Sequence, residues 1–356
     1  MKKHNFYAGP AILPQTVMQE ASEAAKEFGG SGLSILEISH RSKEFAAVME
    51  EIISSTKELL DLPKGYEVLF LTGGASSQFF MSAMNLLPSD GNACFVDTGA
   101  WSTKAIKEAR SFGGVSLLAS SKDKNYSYIP KDYAVPSDAT YLHLTSNNTI
   151  FGTQLQAFPK TKAPIVCDMS SDIFSRPLDI KKFGMIYAGA QKNLGPAGVT
   201  LVIVKKDLLD KVDRVIPTML DYNTHIKKES TFNTPPAFPI YVSMLTMRWL
   251  KKNGGVAAME KKNKEKAGIL YNEIDSNPLF EGAAAKEDRS LMNVTFLLKE
   301  DKLQDKFLEA CAAAGCVGVK GHRSVGGFRA SIYNAMPKSS VQVLVDVMND
   351  FGKKHG

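Results

Sequence analysis

Paired cysteine spacings, long apolar runs and a large charge excess of either sign are all missing from this chain of 356 residues. Each absence removes a class of protein. The four cysteines, Cys94, Cys167, Cys311 and Cys316, form no CxxC pair, so no disulfide and no metal site are expected, and a small buried thiol is the ordinary reading of each. Cys311 and Cys316 both fall in what reads as a helical pattern, FLEACAAAGC. The longest apolar runs, such as Val199–Val204 and Val68–Leu71, are far shorter than the roughly 20 residues that cross a bilayer. The start, MKKHNFYAGPAILP, has no apolar signal core, so the chain is read as soluble and cytoplasmic, without a membrane partner. Lys and Arg number 43 against 37 Asp and Glu, a small excess spread over surface-like stretches that does not suggest a nucleic-acid partner.

What is present is ample apolar content, 44%, in a length that exceeds the usual size of one domain. From residue 66 onward, short β-rich runs alternate with helical patterns: 66–72, 92–98, 115–120, 140–145, 164–170, 185–189 and 199–204. That alternation predicts an α/β fold, with a mostly parallel seven-stranded sheet covered by helices on both faces. Helices are expected over 241–250 and 259–274, then a smaller α+β unit with strands at 291–298 and 328–333, helices at 302–314 and 338–353, and a loop at 318–327. The boundaries read as an N-terminal segment, 1–15, packing with the small domain, a large domain, 16–255, and a small C-terminal domain, 256–356. In open α/β sheets the chemistry gathers at the C-terminal ends of the strands.

Three features sit at such ends. The segment YEVLFLTGGASSQFF runs from an apolar strand through Gly73–Gly74 into a helix starting near Ala75 or Ser76. Free N–H groups and the positive dipole end there suit a phosphate, although a strand–Gly–helix turn is more often structural; the GxxxxGK[ST] and GxGxxG nucleotide patterns are absent. Asp168 closes the apolar run APIVCD, where an acid is costly unless it meets a cation or donors or caps a turn. Lys192 lies in AGAQKNLGPAG, between small residues and ahead of another apolar strand; desolvation there would lower its pKa and leave an amine able to form an imine with an aldehyde. Taken together, they are the parts of a pyridoxal-phosphate site: phosphate cup, partner for the ring nitrogen, imine lysine.

Several segments carry a more specific likeness: NFYAGPAILP, SHRS, FLTGGASSQF, TGAWS, DMSSDIFSRP, YAGAQKNLGPAG, FNTPPAFPIY and GHRSVGGFRASIYNA. In that order they span nearly the whole chain, which resembles the phosphoserine aminotransferases, a class-V family of fold-type I pyridoxal-phosphate enzymes. The resemblance implies an aspartate-aminotransferase-like large domain and a homodimer with shared active sites. It implies Lys192 and Asp168 as catalytic residues. It further implies that the cofactor is held by Ala75, Ser76, Trp101, Thr149, Asp168, Gln191 and Lys192, with Asn233 and Thr234 reaching in from the partner subunit. Arg329 would grip the substrate α-carboxylate, while His322 and Arg323, with His40 and Arg41 from the other subunit, would hold the distal anion. The implied reaction is 3-phosphooxypyruvate plus L-glutamate to O-phospho-L-serine plus 2-oxoglutarate in serine biosynthesis; some members also take 4-phosphohydroxythreonine in pyridoxine biosynthesis. Asn148, Gln154 and Tyr7 depart from the pattern. The rival readings are a cysteine desulfurase, which needs a mobile loop cysteine, an alanine–glyoxylate transaminase, which has no need of two His–Arg pairs, and a non-catalytic module, which would have lost Lys192 or Asp168.

Overall fold

The computed structural model describes residues 3–356. Its centre is a seven-stranded sheet in the spatial order Tyr66–Leu71, Thr200–Lys205, Phe183–Gly189, Ile165–Asp168, Tyr141–Thr145, Asn92–Asp97, Gly114–Ser120. Every neighbouring pair is parallel except the two that involve Thr200–Lys205. All seven are the strands expected from the sequence: strands buried on both faces must be apolar along their length, and only the edge strand Gly114–Ser120 is partly exposed throughout. Val68 and Phe70 enter one hydrophobic cluster with Leu142, Ile186 and Leu201, whereas Leu69 and Leu71 enter a second with Val166, Tyr187 and Val202. Side chains alternate across a strand, so the two clusters are the two faces of the sheet.

One face is covered by helices Gln15–Lys26, Lys43–Leu59 and Ala237–Lys252, the first two of which the sequence analysis did not single out. The other carries Gly74–Leu86 and Ala100–Ala109. A third cluster belongs to the C-terminal unit, where the strands Phe280–Gly282, Asn293–Leu298 and Phe328–Ser331 form an antiparallel sheet. Phe296, Phe307 and Phe328 meet there, with the rings of Phe307 and Phe328 4.8 Å apart and edge-on, an arrangement that favours aromatic pairs beyond their buried area. Helices Gly255–Ser276, Gln304–Ala313 and Lys338–His355 pack on it.

Three sequence readings need correction. The helix expected at 302–314 ends at Ala313, because Gly315 adopts φ 80° and stops it. Cys316 is therefore not helical: it opens the two-residue strand Cys316–Val317, which pairs in parallel with His4–Asn5. The Ala237–Lys252 helix begins four residues before the expected Tyr241, with Pro239 tolerated in its first turn. Among the described residues, no helix is long and apolar enough to cross a membrane.

Candidate active site

Lys192 follows the strand Phe183–Gly189 in a tight turn in which the N–H groups of Lys192 and Gly195 both donate to the Ala190 carbonyl, at 2.7 and 2.8 Å. Gly195 is required: an added Cβ would lie 2.3 Å from Ser243 Oγ on the Ala237–Lys252 helix. The lysine amine donates to Thr149 Oγ1 at 2.6 Å and lies 5.8 Å from the centre of the Trp101 ring. Burial lowers its pKa from 10.5 to about 8; Asp168 and Asp172 oppose that shift and Arg329 reinforces it. The neutral, nucleophilic form is thus populated near neutrality.

Asp168 is the last residue of its strand and is buried. Its Oδ1 accepts from the Ser170 N–H at 2.9 Å and the Ser170 hydroxyl at 2.7 Å. Burial still holds the carboxyl above its usual range, offset in part by Lys192 and by the Ser170 bonds. Ser170 Oγ in turn accepts from the Gly189 N–H at 3.1 Å, tying the acid to the strand that delivers Lys192. One turn on, buried Asp172 accepts from the Ser146 hydroxyl, from Gln154 Nε2 at 3.1 Å, and pairs with Arg176 at 3.5 Å. Ser170, Asp172 and Ser146 were not singled out in the sequence. The one available signal was Asp-x-Ser, an Asx-turn pattern.

The helix Gly74–Leu86 starts at the end of its strand with Gly73 at φ 95° and no acidic residue in its first turn. Ala75 is half-buried and Ser76 exposed there. Gln191 is half-buried, and its carbonyl accepts from the Ala11 N–H at 2.9 Å. Arg329 Nη1 donates to the Thr149 carbonyl at 3.1 Å, and burial lowers its pKa. His322 is half-buried, its pKa lowered first by burial and then by Arg329 and Arg323; Arg323 itself is exposed. Lys192, Thr149, Asp168, Trp101 and Arg329 therefore converge, and His322 and Arg323 lie within electrostatic reach of Arg329.

Four residues stand apart from that cluster in a single chain. His40 and Arg41 line a different cavity of about 550 Å³ with Glu50, Lys57 and Thr231. Asn233 lines a cavity of about 140 Å³ beside Gly73, Ser77 and His225 of its own chain, and Thr234 is exposed. Two of the three sequence departures have local explanations. Asn148 Nδ2 donates to the Thr98 carbonyl at 2.7 Å, in the space a Cβ on Gly99 would occupy. Gln154 bridges Asp172 and the Leu291 N–H at 3.0 Å, where a carboxylate would repel Asp172. Tyr7 is exposed.

Buried polar atoms without a partner among the described residues include Trp101 Nε1, Thr98 Oγ1 and Arg329 Nε. Such atoms are costly unless satisfied, and two of the three belong to residues of this cluster, Trp101 beside the Lys192 amine and Arg329 bonded to the Thr149 carbonyl.

The chain belongs to the class-V aminotransferases, whose family model, Aminotransferase class-V, matches residues 3–344. Phosphoserine aminotransferase from Parabacteroides distasonis is 60% identical over 357 residues, covering 100% of both chains. The solved phosphoserine aminotransferase of Bacillus circulans subsp. alkalophilus superposes with a TM-score of 0.97 at 45% identity, over 100% of this chain and 99% of that one. A pyridoxal-phosphate-bound phosphoserine aminotransferase from Trichomonas vaginalis gives 0.93 at 37%, over 98% and 100%. Within the class, this chain is a member of the phosphoserine aminotransferase family.

Proposed function

We propose that the protein is a cytoplasmic homodimer that transfers the amino group of L-glutamate to 3-phosphooxypyruvate, reversibly, giving O-phospho-L-serine and 2-oxoglutarate. Its cofactor is pyridoxal 5'-phosphate. The observation that carries the reading is the Lys192 amine, desolvated to a pKa of about 8 and fixed by Thr149 near a buried acid and a half-buried arginine.

Lys192 would bond the cofactor's aldehyde, Asp168 would meet its ring nitrogen, Trp101 would cover its ring, and Thr149 and Gln191 would hold its oxygens. The first turn of Gly74–Leu86, with Ala75 and Ser76, would take its phosphate, joined by the partner's Asn233 and Thr234. When bound, the cofactor supplies a sink for the electron pair left at the substrate's Cα. The protein's own task is proton transfer and positioning. Lys192, neutral in part near pH 8, removes the proton from Cα and returns one as a general acid. Ser170 donates twice to Asp168, and these bonds, with a cation beside it, would favour its ionised form against burial.

Arg329 presents a planar donor pair to the α-carboxylate common to glutamate and phosphoserine. Its unpartnered Nε is a donor held ready for it. The distal phosphate or γ-carboxylate would meet His322 and Arg323, with the partner's His40 and Arg41. The Ala8–Ala11 segment lies against Gln191 and the Lys192 stem.

Borohydride reduction followed by peptide mapping should label Lys192; a label elsewhere, or full activity in Lys192→Ala, overturns the mechanism. A coupled assay should prefer phosphoserine over alanine as amino donor, and equal rates would refute the substrate. Mixing inactive Lys192→Ala with weakened Arg41→Ala should restore activity through hybrid dimers, and no restoration would refute the shared site.

A further inference from the structure

The segment Ile332–Asn334, which follows the strand carrying Arg329, is gripped on three sides by side chains that the reaction does not use. Lys266, buried in the Gly255–Ser276 helix, donates to the Ile332 carbonyl at 3.0 Å and the Tyr333 carbonyl at 2.7 Å. The Asn334 N–H donates to Asn193 Oδ1 at 3.0 Å, on the residue next to Lys192, while Asn334 Nδ2 donates to the Phe174 carbonyl at 3.0 Å. Between them, the fully buried Tyr333 sends its hydroxyl to the Ala8 carbonyl at 2.6 Å and accepts from Asn293 Nδ2 at 3.1 Å.

Ala8 is where the N-terminal segment reaches the active site. Three residues on, the chain is tied to the lysine turn by the Ala11 N–H, which donates to the Gln191 carbonyl. Between these two bonds, Gly9 faces the Gln191 and Lys192 stems, where an added Cβ would sit in ordinary van der Waals contact at 3.5 and 3.6 Å. This stretch is a lid of main chain over the aliphatic part of Lys192, and the Tyr333 hydroxyl is the side-chain bond that seats it.

We propose that Tyr333 is a positioning residue: its hydroxyl holds the Ala8–Gly9 main chain against Lys192 and so keeps water from the catalytic amine. It touches no reacting atom. The charged groups acting on Lys192 are Asp168 and Asp172 from the strand and turn on one side and Arg329 on the other. Tyr333, raised to about 12 by burial, adds no charge. Desolvation is the first cause of the lowered lysine pKa, so releasing the lid would move it back toward 10.5.

The test is Tyr333→Phe, which keeps the ring in place and deletes one oxygen. In the full-length chain freed of cofactor, competitive acetylation of Lys192 as a function of pH, read by mass spectrometry, should show the labelling midpoint displaced upward by about one unit, or about tenfold less neutral amine at pH 7.5. Hydrogen exchange of the peptide containing Ala11 should speed up. With phosphoserine and 2-oxoglutarate, the loaded enzyme should lose about tenfold in kcat at pH 7.5 and recover most of it at pH 9, with little change in KM.

An unchanged labelling midpoint overturns the proposal even if the rate falls. If Tyr333→Phe does not fold, Gly9→Ala, which forces a side chain onto a residue at φ 154°, should displace the midpoint in the same direction, and failure to do so is equally decisive. The inference rests on Lys192 being the catalytic amine. Labelling and exchange report the lid whatever the substrate, so a wrong substrate assignment would show only in the activity arm.

Discussion

Replacing Ser170 by alanine tests how the site keeps Asp168 charged. The hydroxyl donates to Asp168 Oδ1 at 2.7 Å and accepts from the Gly189 N–H at 3.1 Å, so the substitution removes one charge-assisted bond and leaves one strand N–H unpaired. A hydrogen bond to a charged group is worth about 1.5–3 kcal/mol, and at about 1.4 kcal/mol per pKa unit the carboxyl should rise by about one to two units. Burial already raises it. A carboxyl with a raised folded pKa destabilises the folded state once it ionises: no cost is present below the unfolded value of 3.8, and the cost grows as pH rises through the folded value. Ser170→Ala moves that value higher, so its destabilisation should be larger at pH 7.5 than at pH 5. Urea denaturation at the two pH values, alongside the parent protein, measures this directly. Equal losses at both would mean that Ser170 serves only the Gly189 N–H, and the electrostatic reasoning would be wrong.

Lys266 is buried without a carboxylate partner and its pKa falls to about 7 because of burial. Its unfolded form therefore binds more protons between about pH 7 and 10.5, and the stability of Lys266→Met relative to the parent should decline over that interval; a flat difference would refute the shift. Thr149→Val removes the acceptor of the Lys192 amine and should lower kcat by about tenfold to a hundredfold, measured by steady-state turnover; an unchanged kcat would remove Thr149 from the site. In Gly99→Ala the new Cβ would lie 2.2 Å from Asn148 Nδ2 at a residue with φ 149°, so the melting temperature should fall by an amount matching about 1–3 kcal/mol; no change would show that the turn can relax.

The central sheet was legible because its inner strands, buried on both faces, leave apolar runs that no surface element would carry. Helices Gln15–Lys26 and Lys43–Leu59 were not singled out, although their buried residues recur at helical spacing, Val17, Ala21 and Ala24 in the first and Phe45, Val48, Met49, Ile52 and Leu59 in the second. Lys192 and Asp168 were visible as charges set among apolar and small residues. Ser170, Asp172, Tyr333 and Asn334 were not, since each acquires its role only from a partner brought near by the fold. Tyr333 and Ala8, for example, are 325 residues apart, and no local pattern records such a pairing. His40, Arg41, Asn233 and Thr234 came from resemblance alone, and one chain does not bring them to Lys192.

The His4–Asn5 strand has a consequence for synthesis. Among the described residues its only strand partner is Cys316–Val317, and the residues just after it seat against Tyr333. Ala8 must therefore wait for a residue 325 positions further on before it can settle, at the loop-closure cost that long-range pairing carries. A nascent chain can assemble the central sheet while the cover over its lysine is still unmade. Catalytic competence is then a late event in the protein's birth.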